Sequence, residues 1–197
     1  HKYGDFKPYL IVTKDGGKTW KSISSNIPAN NFVWTIVEDH LNPNLLFLGT
    51  EFGMFFSLDG GNYWNEFKNV PTIPIRDLEI HESEDDLVAA SFGRGFYIVD
   101  DYSPIREYSK LIEKKSAHLF SVKSAYQYVV AAPEKTATGH NFFTSPNPPY
   151  GVKLSYFLGK SLLSKFEERQ KEEFSKFNKG EIINYPTAEK LEGEAKE

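Results

Sequence analysis

The first half of this 197-residue chain consists of short apolar runs separated by clusters of Gly, Asn, Asp and Pro. Residues 32–38 alternate apolar and polar positions, as a half-buried strand does, whereas residues 45–49 form a continuous apolar run typical of a buried strand. Runs of this length, closed by turn residues, predict an all-β architecture. The other strands predicted in this half are 9–12, 54–57, 64–67, 75–80, 87–91 and 96–99.

One turn sequence occurs twice, as residues 13–20 and again as residues 57–64. Both copies contain a hydroxyl residue, an Asp two positions later, a Gly-Gly pair, and a Trp five positions after the Asp. The Asp-to-Asp spacing is 44 residues, and a fixed period of this size indicates a solenoid or a propeller. We expect each Asp to accept hydrogen bonds from backbone amides one to three residues ahead and each Trp to pack between neighbouring units. The turns are therefore predicted to be structural rather than catalytic.

The two turns resemble the Asp box, Ser/Thr-x-Asp-x-Gly-x-Thr-Trp, of sialidase-like and sortilin-like β-propellers. In that family the box joins the third and fourth strands of a blade. The first copy matches all five positions, the second has Tyr where Thr is usual, and a degenerate third box suits a terminal repeat. The resemblance assigns box roles to Thr13, Asp15, Gly17, Thr19 and Trp20, to Ser57, Asp59, Gly61, Tyr63 and Trp64, and to Asp101 in the degenerate copy.

Residues 91–106, Ser-Phe-Gly-Arg-Gly-Phe-Tyr-Ile-Val-Asp-Asp-Tyr-Ser-Pro-Ile-Arg, are the most specific stretch. They resemble the HGRGFWILDD-x-SPLR signature that closes the propeller in large secreted bacterial BNR-repeat proteins of the sortilin-like group, often described as glycosyl hydrolases. Ser91-Phe92 stands where Thr-His is usual, and Tyr97 replaces a Trp. The resemblance implies a secreted or periplasmic protein.

Three regions are predicted. Residues 1–106 are expected to form the last two and a half four-stranded blades of a propeller. Residues 107–158 are expected to form a linker and the first strands of an incomplete β-sandwich, because 147–158 resemble the start of the domain that follows in the same group. Residues 159–197 are expected to form a helical insertion and a charged tail. The chain, which begins with His, is expected to be a piece of a longer protein.

The second half also yields predicted elements. Strands are expected over 117–121, 126–131 and 150–158. A helix is expected over 161–178, with Ser161 as its N-cap and Gly180 as its stop, and the tail from 188 is expected to be frayed.

Composition narrows the range of functions. The net charge of −4 gives no basic footprint for nucleic acid, and no apolar run is long enough for a membrane helix. The chain has no cysteine, and its five histidines are scattered without metal-ligand spacing. No cofactor, metal site, nucleic-acid partner or membrane insertion is therefore expected.

Candidate binding residues follow from propeller geometry. If the Asp boxes occupy one rim, loops between the second and third strands lie on the opposite rim, at the mouth of the channel. An Arg and a Glu from adjacent blades would there bind a carboxylate or a sugar hydroxyl. In the alternative interpretation, Arg94 braces the channel by hydrogen bonding to carbonyl groups, and Glu51 is solvated or paired with Arg94. The candidates are Glu51, Phe52, Arg76, Phe92, Arg94 and Phe96.

Two functions remain open at this point. The first is an extracellular or periplasmic recognition scaffold whose mouth binds a glycan or a peptide. The alternative is a sialidase-like or xyloglucanase-like glycoside hydrolase whose carboxylates lie mainly in absent blades, since a glycosidase needs two. The other expected partner is the rest of the same propeller chain, because an incomplete array leaves sheet faces and edges uncovered and prone to self-association.

Overall fold

The computed structural model describes residues 3–109, 111–125, 127, 150–160 and 162–194. The chain divides into two compact units, His1–Tyr108 and Ser109–Glu197. The described chain is mainly antiparallel β-sheet, as the hydrophobic pattern predicts. The predicted strand 126–131 and the segment 136–149 lie outside the described residues, apart from Gln127.

The first unit contains three sheets that follow one another along the chain. All their strands pair antiparallel with the next strand in sequence. The first sheet is a hairpin of β1 (Ile11–Val12) and β2 (Lys21–Ser22). The second sheet contains β3 (Val33–Glu38), β4 (Leu46–Thr50), β5 (Gly53–Ser57) and β6 (Asn65–Glu66). The third contains β7 (Ile75–His81), β8 (Asp86–Ser91) and β9 (Phe96–Val99), and the short helix α1 (Ser103–Glu107) follows it.

The second sheet is covered on both faces, which explains the continuous apolar run of β4. Leu46 and Leu48 belong to a core cluster shared with Ile23 of the first-sheet region. Phe47, on the other face, belongs to a cluster shared with Leu78 of the third sheet. Because successive side chains of a strand point to opposite faces, β4 can be apolar throughout only when both faces are buried.

The second and third sheets lie very close together at Gly49. A Cβ atom at this position would lie 2.7 Å from Thr35 Cγ2 and 2.8 Å from the carbonyl oxygen of Ile75. The second contact is with backbone of the third sheet, which cannot rotate away. Glycine is therefore required here by the spacing of the sheets rather than by a turn.

The second unit has less regular structure. Its two-stranded antiparallel sheet is shorter than predicted, because 150–155 and 120–121 are not strand. Its elements are β10 (Ala117–Leu119), β11 (Tyr156–Leu158), α2 (Lys165–Asn178) and α3 (Ala188–Glu194).

Two predictions about the helices of this unit were wrong. Helix α2 is capped by Ser164, not Ser161, because Ser164 and Glu167 form a reciprocal capping box. The tail expected to be frayed instead contains α3, whose Ala, Glu, Lys and Leu residues are strong helix formers. The predicted stop is confirmed, since Gly180 has φ +69° and its amide donates to the carbonyl of Phe177.

Candidate ligand-binding site

The first Asp-box turn joins β1 to β2 and is closed by its own side chains. The hydroxyl of Thr13 donates to Asp15 Oδ1 at 2.9 Å and accepts from the amide of Gly17 at 2.9 Å. Asp15 in turn accepts from the amide of Thr19 at 2.8 Å and from its hydroxyl at 2.6 Å. These hydrogen bonds lower the pKa of Asp15 to about 2, the Thr19 hydroxyl contributing most.

The second turn, between β5 and β6, repeats this pattern. Ser57 donates to Asp59 at 2.9 Å and accepts from the amide of Gly61 at 2.9 Å, while Asp59 accepts from the amide of Tyr63 at 2.9 Å. In both turns the carboxylate thus binds the amide four residues ahead, one position beyond the predicted range of one to three, and in the first turn the amide of Lys18, three residues ahead, makes a smaller contribution to the lowered pKa of Asp15. The amide of the second glycine, Gly17 or Gly61, donates instead to the hydroxyl of Thr13 or Ser57. The carboxylate therefore binds the residue at the far side of the turn.

The two box tryptophans differ in burial. Trp64 is only 2% exposed and its indole N–H donates to the carbonyl of Ile23 at 2.6 Å, so it packs between sheets as predicted. Trp20 is 59% exposed. At the degenerate position, Asp101 has φ +54° and accepts from the hydroxyl of Ser103, the first residue of α1, at 2.6 Å, so its carboxylate binds the start of the helix instead of closing a hairpin.

The opposite end of the second and third sheets is shaped by two β-bulges. The register of β3 against β4 shifts between Val33 and Thr35, which leaves Trp34 as the extra residue. The register of β7 against β8 shifts in the same way at Arg76, which is 42 residues after Trp34. A bulge re-aims the extra side chain out of the normal alternation. Trp34 and Arg76 therefore both leave the alternating pattern of their strands, and they do so at equivalent positions of the two sheets, near the loops.

These two bulge residues stack on each other across the two sheets. The guanidinium carbon of Arg76 lies 3.4 Å from the centroid of the Trp34 ring and 4.9 Å from that of Phe92. The arginine cation is attracted electrostatically to the faces of the aromatic rings, and this attraction stabilises the stacking. The Nε atom of Arg76 is buried, and no group of the described residues accepts a hydrogen bond from it.

Glu51 completes the group through Trp34. Its Oε2 accepts the indole N–H of Trp34 at 2.8 Å. Among the described residues, Glu51 and Arg76 form no ion pair with each other. We call Trp34, Glu51, Arg76 and Phe92 the mouth cluster.

The loops that carry Glu51 and Phe92 are also equivalent. The amide of Glu51 donates to the carbonyl of Phe32 at 3.1 Å, and the amide of Phe92 donates to the carbonyl of Pro74 at 2.9 Å. The two acceptors are 42 residues apart, the same offset that separates Trp34 from Arg76. One repeat supplies an acid and an indole, and the next supplies a cation and a phenyl ring.

The remaining predicted residues lie around or outside this cluster. Phe52 is 49% exposed in the loop after Glu51, and its amide donates to Asn31 Oδ1 at 3.0 Å. Arg94 is exposed between two glycines with positive φ. Phe96 is 74% exposed in β9, where it pairs with Ala90, and has no ring contact with the cluster among the described residues. The structure thus brings together three of the six predicted residues.

A second group of charged residues occupies the opposite end of these two sheets. Arg106 of α1 donates to Asp39 through Nε at 2.8 Å and through Nη2 at 2.6 Å, and to Asp85 at 2.6 Å. The hydroxyl of the buried Tyr102 also donates to Asp39 at 2.6 Å. Arg106 therefore ties α1 to the turns that follow the first strands of two sheets.

This network sets the ionisation of its members. Burial disfavours the charged form of Asp39, but hydrogen bonds from Arg106, Tyr102 and the amide of Asn42 outweigh it and lower its pKa to about 2. Burial, together with the bond to Asp39, raises the pKa of Tyr102. Every donor of this group faces an acceptor, which indicates a structural clamp rather than a vacant site.

Sequence reasoning missed Trp34, the residue that connects the mouth cluster. Trp34 lies within a strand of alternating apolar and polar positions, and an apolar residue in such a strand is predicted to be a core side chain. The available signal was its spacing of 42 residues from Arg76, which places both at the start of a repeat.

Comparisons with protein-family models, curated proteins and solved structures found no match to this chain. Within the described ranges, no three His, Asp or Glu side chains are grouped so that they could hold a metal ion. No helix of the part that the structure describes is long and apolar enough to cross a membrane.

Proposed function

We propose that the first unit is part of a β-propeller recognition scaffold whose mouth cluster binds a carboxylate group of a glycan or a peptide. The observation that carries this proposal is the Arg76 side chain, whose guanidinium lies over the rings of Trp34 and Phe92 while its buried Nε has no acceptor in the described residues. A buried donor without a partner is rare and costly, and a guanidinium matches a carboxylate with two parallel hydrogen bonds. A bound carboxylate would satisfy it.

The propeller part of the proposal is supported by three features. Successive antiparallel sheets stack face to face in sequence order. The Asp-box turns have one hydrogen-bond pattern and a 44-residue offset. The bulges of β3 and β7 recur after 42 residues. Radially repeated four-stranded sheets are the defining feature of propellers. By family resemblance, such a scaffold would be secreted or periplasmic.

The aromatic side chains suit a recognition role. Phe92 is 67% exposed and Phe52 is 49% exposed at this end of the sheets. Exposed rings beside a cation present an apolar surface for sugar C–H groups or apolar peptide side chains, while the cation fixes orientation. Preformed stacking also means that little side-chain entropy is lost when the ligand binds.

The mouth offers poor support for hydrolysis. The segments at this end, residues 29–32, 51–52, 71–74 and 92–95, contain Glu51 as their one carboxylate. A glycosidase needs two carboxyl groups flanking the scissile bond, and Glu51 is already engaged by Trp34. Hydrolysis would therefore depend on residues outside these segments.

Binding should be measured on a panel of neutral and carboxylate-bearing oligosaccharides, and of peptides with free and amidated C-termini, with a hydrolysis assay on the same sugars. Charge-assisted hydrogen bonds are worth about 1.5–3 kcal/mol, so Arg76→Gln should weaken binding of carboxylate ligands roughly ten- to hundredfold. Neutral members of each pair should bind weakly to both proteins.

Two controls make the result specific. Lys18→Ala changes an exposed cation in the first Asp-box turn, which is not part of the mouth cluster, and it should leave the affinity for carboxylate ligands unchanged. Arg94→Ala tests whether the exposed loop arginine contributes. Equal binding of neutral and carboxylate ligands, or full affinity in Arg76→Gln, would refute the proposal, and turnover of a sugar would favour the hydrolase instead.

A further inference from the structure

The mouth cluster holds an acid beside the cation that is proposed to bind a carboxylate. Glu51 accepts the indole N–H of Trp34 at 2.8 Å, and the guanidinium carbon of Arg76 lies 3.4 Å from the centroid of the same ring. An indole N–H points outward in the plane of the ring, so Glu51 lies at the edge of Trp34 and Arg76 lies over its face. The two charged groups are therefore neighbours around one indole, although no ion pair between them is present among the described residues.

Glu51 has one oxygen engaged within the chain and one oxygen available. Its Oε2 accepts from Trp34, whereas its Oε1 has no hydrogen-bond partner among the described residues and is not buried. A carboxylate bound to Arg76 would displace water from Oε1 and place a second negative charge beside it. Both effects weaken binding unless the ligand also donates a hydrogen bond to Oε1. Glu51 therefore favours ligands that carry a donor next to their carboxylate and disfavours those that do not.

Four backbone amides around the cluster are already engaged. They donate to acceptors within the chain, and they belong to Glu51, Phe52, Gly53 and Phe92. Sites that capture the C-terminal carboxylate of a peptide use backbone amides, and extended peptides are held by main-chain hydrogen bonds. At these four positions no amide is left for such contacts. Recognition here depends instead on two side chains of opposite charge, Glu51 and Arg76.

We propose that the ligand of the mouth cluster is a hexuronic acid residue of a glycan, with its carboxylate on Arg76 and its 4-hydroxyl donating to Glu51 Oε1. This inference rests on the proposed function and adds Glu51 as the residue that determines specificity. In a hexuronic acid the 4-hydroxyl is on the ring carbon next to the one that bears the carboxylate, so one sugar presents an acceptor and a donor side by side. The 4-hydroxyl must be free, so the sugar is a chain end or is linked through another position.

A peptide fits this arrangement less well. The C-terminal residue has an amide N–H beside its carboxylate, and this N–H could donate to Glu51. The carbonyl group of the same amide would then need a donor, which the engaged loop amides do not supply. A ring hydroxyl has no such second group to satisfy.

The test is a calorimetric titration of the full chain with the methyl glycosides of glucuronic acid and galacturonic acid and with their 4-deoxy analogue. The two acids differ only in the orientation of the 4-hydroxyl, so one 4-deoxy compound is the analogue of both. Because a hydrogen bond to a charged group is lost, the wild-type protein should bind the 4-deoxy compound roughly ten- to hundredfold more weakly than the better of the two acids. Arg76→Gln should weaken the binding of all three compounds.

Glu51→Gln separates specificity from a structural role. The glutamine keeps an oxygen for the indole N–H of Trp34 but has no negative charge. This variant should bind the 4-deoxy compound more tightly than the wild type does and the hydroxylated acid more weakly, so that most of the preference is lost. A residue that only positions Trp34 would change both affinities in the same direction. Glu66→Gln, which changes an exposed acid of β6, is the matched control and should retain the wild-type preference.

The outcomes distinguish this inference from the proposed function. Equal affinity of the wild-type protein for the hydroxylated and 4-deoxy acids, or an unchanged preference in Glu51→Gln, overturns the inference, while weaker binding in Arg76→Gln would still support carboxylate recognition. Tighter binding of acetyl-alanyl-alanine, a dipeptide with a free C-terminal carboxylate, than of either sugar acid would also overturn it, because the ligand would then be a peptide. Binding that is unaffected by Arg76→Gln, or no binding of any of these acids, would overturn both.

Discussion

At the scale of single residues, one side-chain type in one motif has two environments. Trp64 and Trp20 both follow an Asp-Gly-Gly turn by the same spacing, yet Trp64 is 2% exposed and Trp20 is 59% exposed. The motif fixes the hairpin, while the neighbouring sheet decides whether the indole is buried. Burial, and not the motif, therefore determines how much each tryptophan stabilises the fold.

Replacing these residues by alanine should separate the two contributions. Trp64→Ala removes a buried ring and its hydrogen bond to Ile23, and it should lower the free energy of unfolding by about 3–5 kcal/mol. Trp20→Ala should cost much less, because the ring is mostly in solvent. Urea denaturation of both variants measures the difference, and equal destabilisation would contradict the claim that burial determines how much each tryptophan stabilises the fold.

Sequence could predict the turn residues but not the residue that connects the site. The hydrogen bonds of the Asp-box turns are local, since their donors and acceptors lie within a few positions of one another, so a sequence motif is enough to predict which residues form them. Trp34 depends on a register shift between β3 and β4, and a register shift is a property of the pairing between two strands rather than of either strand alone. Alternation within one strand carries no trace of it.

At the scale of elements, α1 depends on tertiary contacts more than on its own sequence. It spans only Ser103–Glu107, too short to be stable alone. Arg106 holds it by bonds to Asp39 and Asp85. Helix boundaries in the second unit show the same limit of prediction, since the cap of α2 was set by the Ser164–Glu167 pair rather than by the first available serine.

Acid should weaken this clamp in a defined range of pH. The pKa of Asp39 is lowered to about 2 in the folded chain, whereas the pKa of an Asp in an unfolded chain is about 3.9. The stabilisation is therefore complete above the unfolded value and is lost as pH falls towards about 2, because protons then bind the unfolded state first. Denaturant unfolding of the wild-type protein at a series of pH values between these two pKa values should show that the free energy of unfolding falls as the pH is lowered.

The Asp39→Asn variant supplies the comparison. Removing one member of a buried ion pair costs about 3–5 kcal/mol, so this variant should be less stable at neutral pH and should lose less stability in acid. Glu82→Gln, at an exposed turn position, is the control and should follow wild type. A parallel fall in wild type and Asp39→Asn would exclude Asp39 as the source of the acid sensitivity.

At the scale of the whole first unit, the two ends of the sheets have different chemical character. One end holds the Asp-box turns and the Arg106 clamp, in which donors meet acceptors within the chain. The other end holds Arg76, whose buried Nε has no acceptor among the described residues. The backbone has the same repeated pairing pattern at both ends, so the difference in hydrogen bonding between the two ends comes from the side chains, Trp34 and Arg76, at the bulges. This asymmetry is the basis for assigning ligand binding to the mouth cluster.

The most direct test of that assignment is the Nε–H resonance of Arg76 in a nitrogen–proton correlation spectrum of the full chain. The chain has four arginines, so the signals are few, and Arg76→Lys identifies the relevant one. Titration with the tightest carboxylate ligand of the binding panel should move the Arg76 signal in a saturable way and leave that of Arg106 in place, while the neutral analogue should move neither. An unmoved Arg76 signal at saturating ligand would contradict the account.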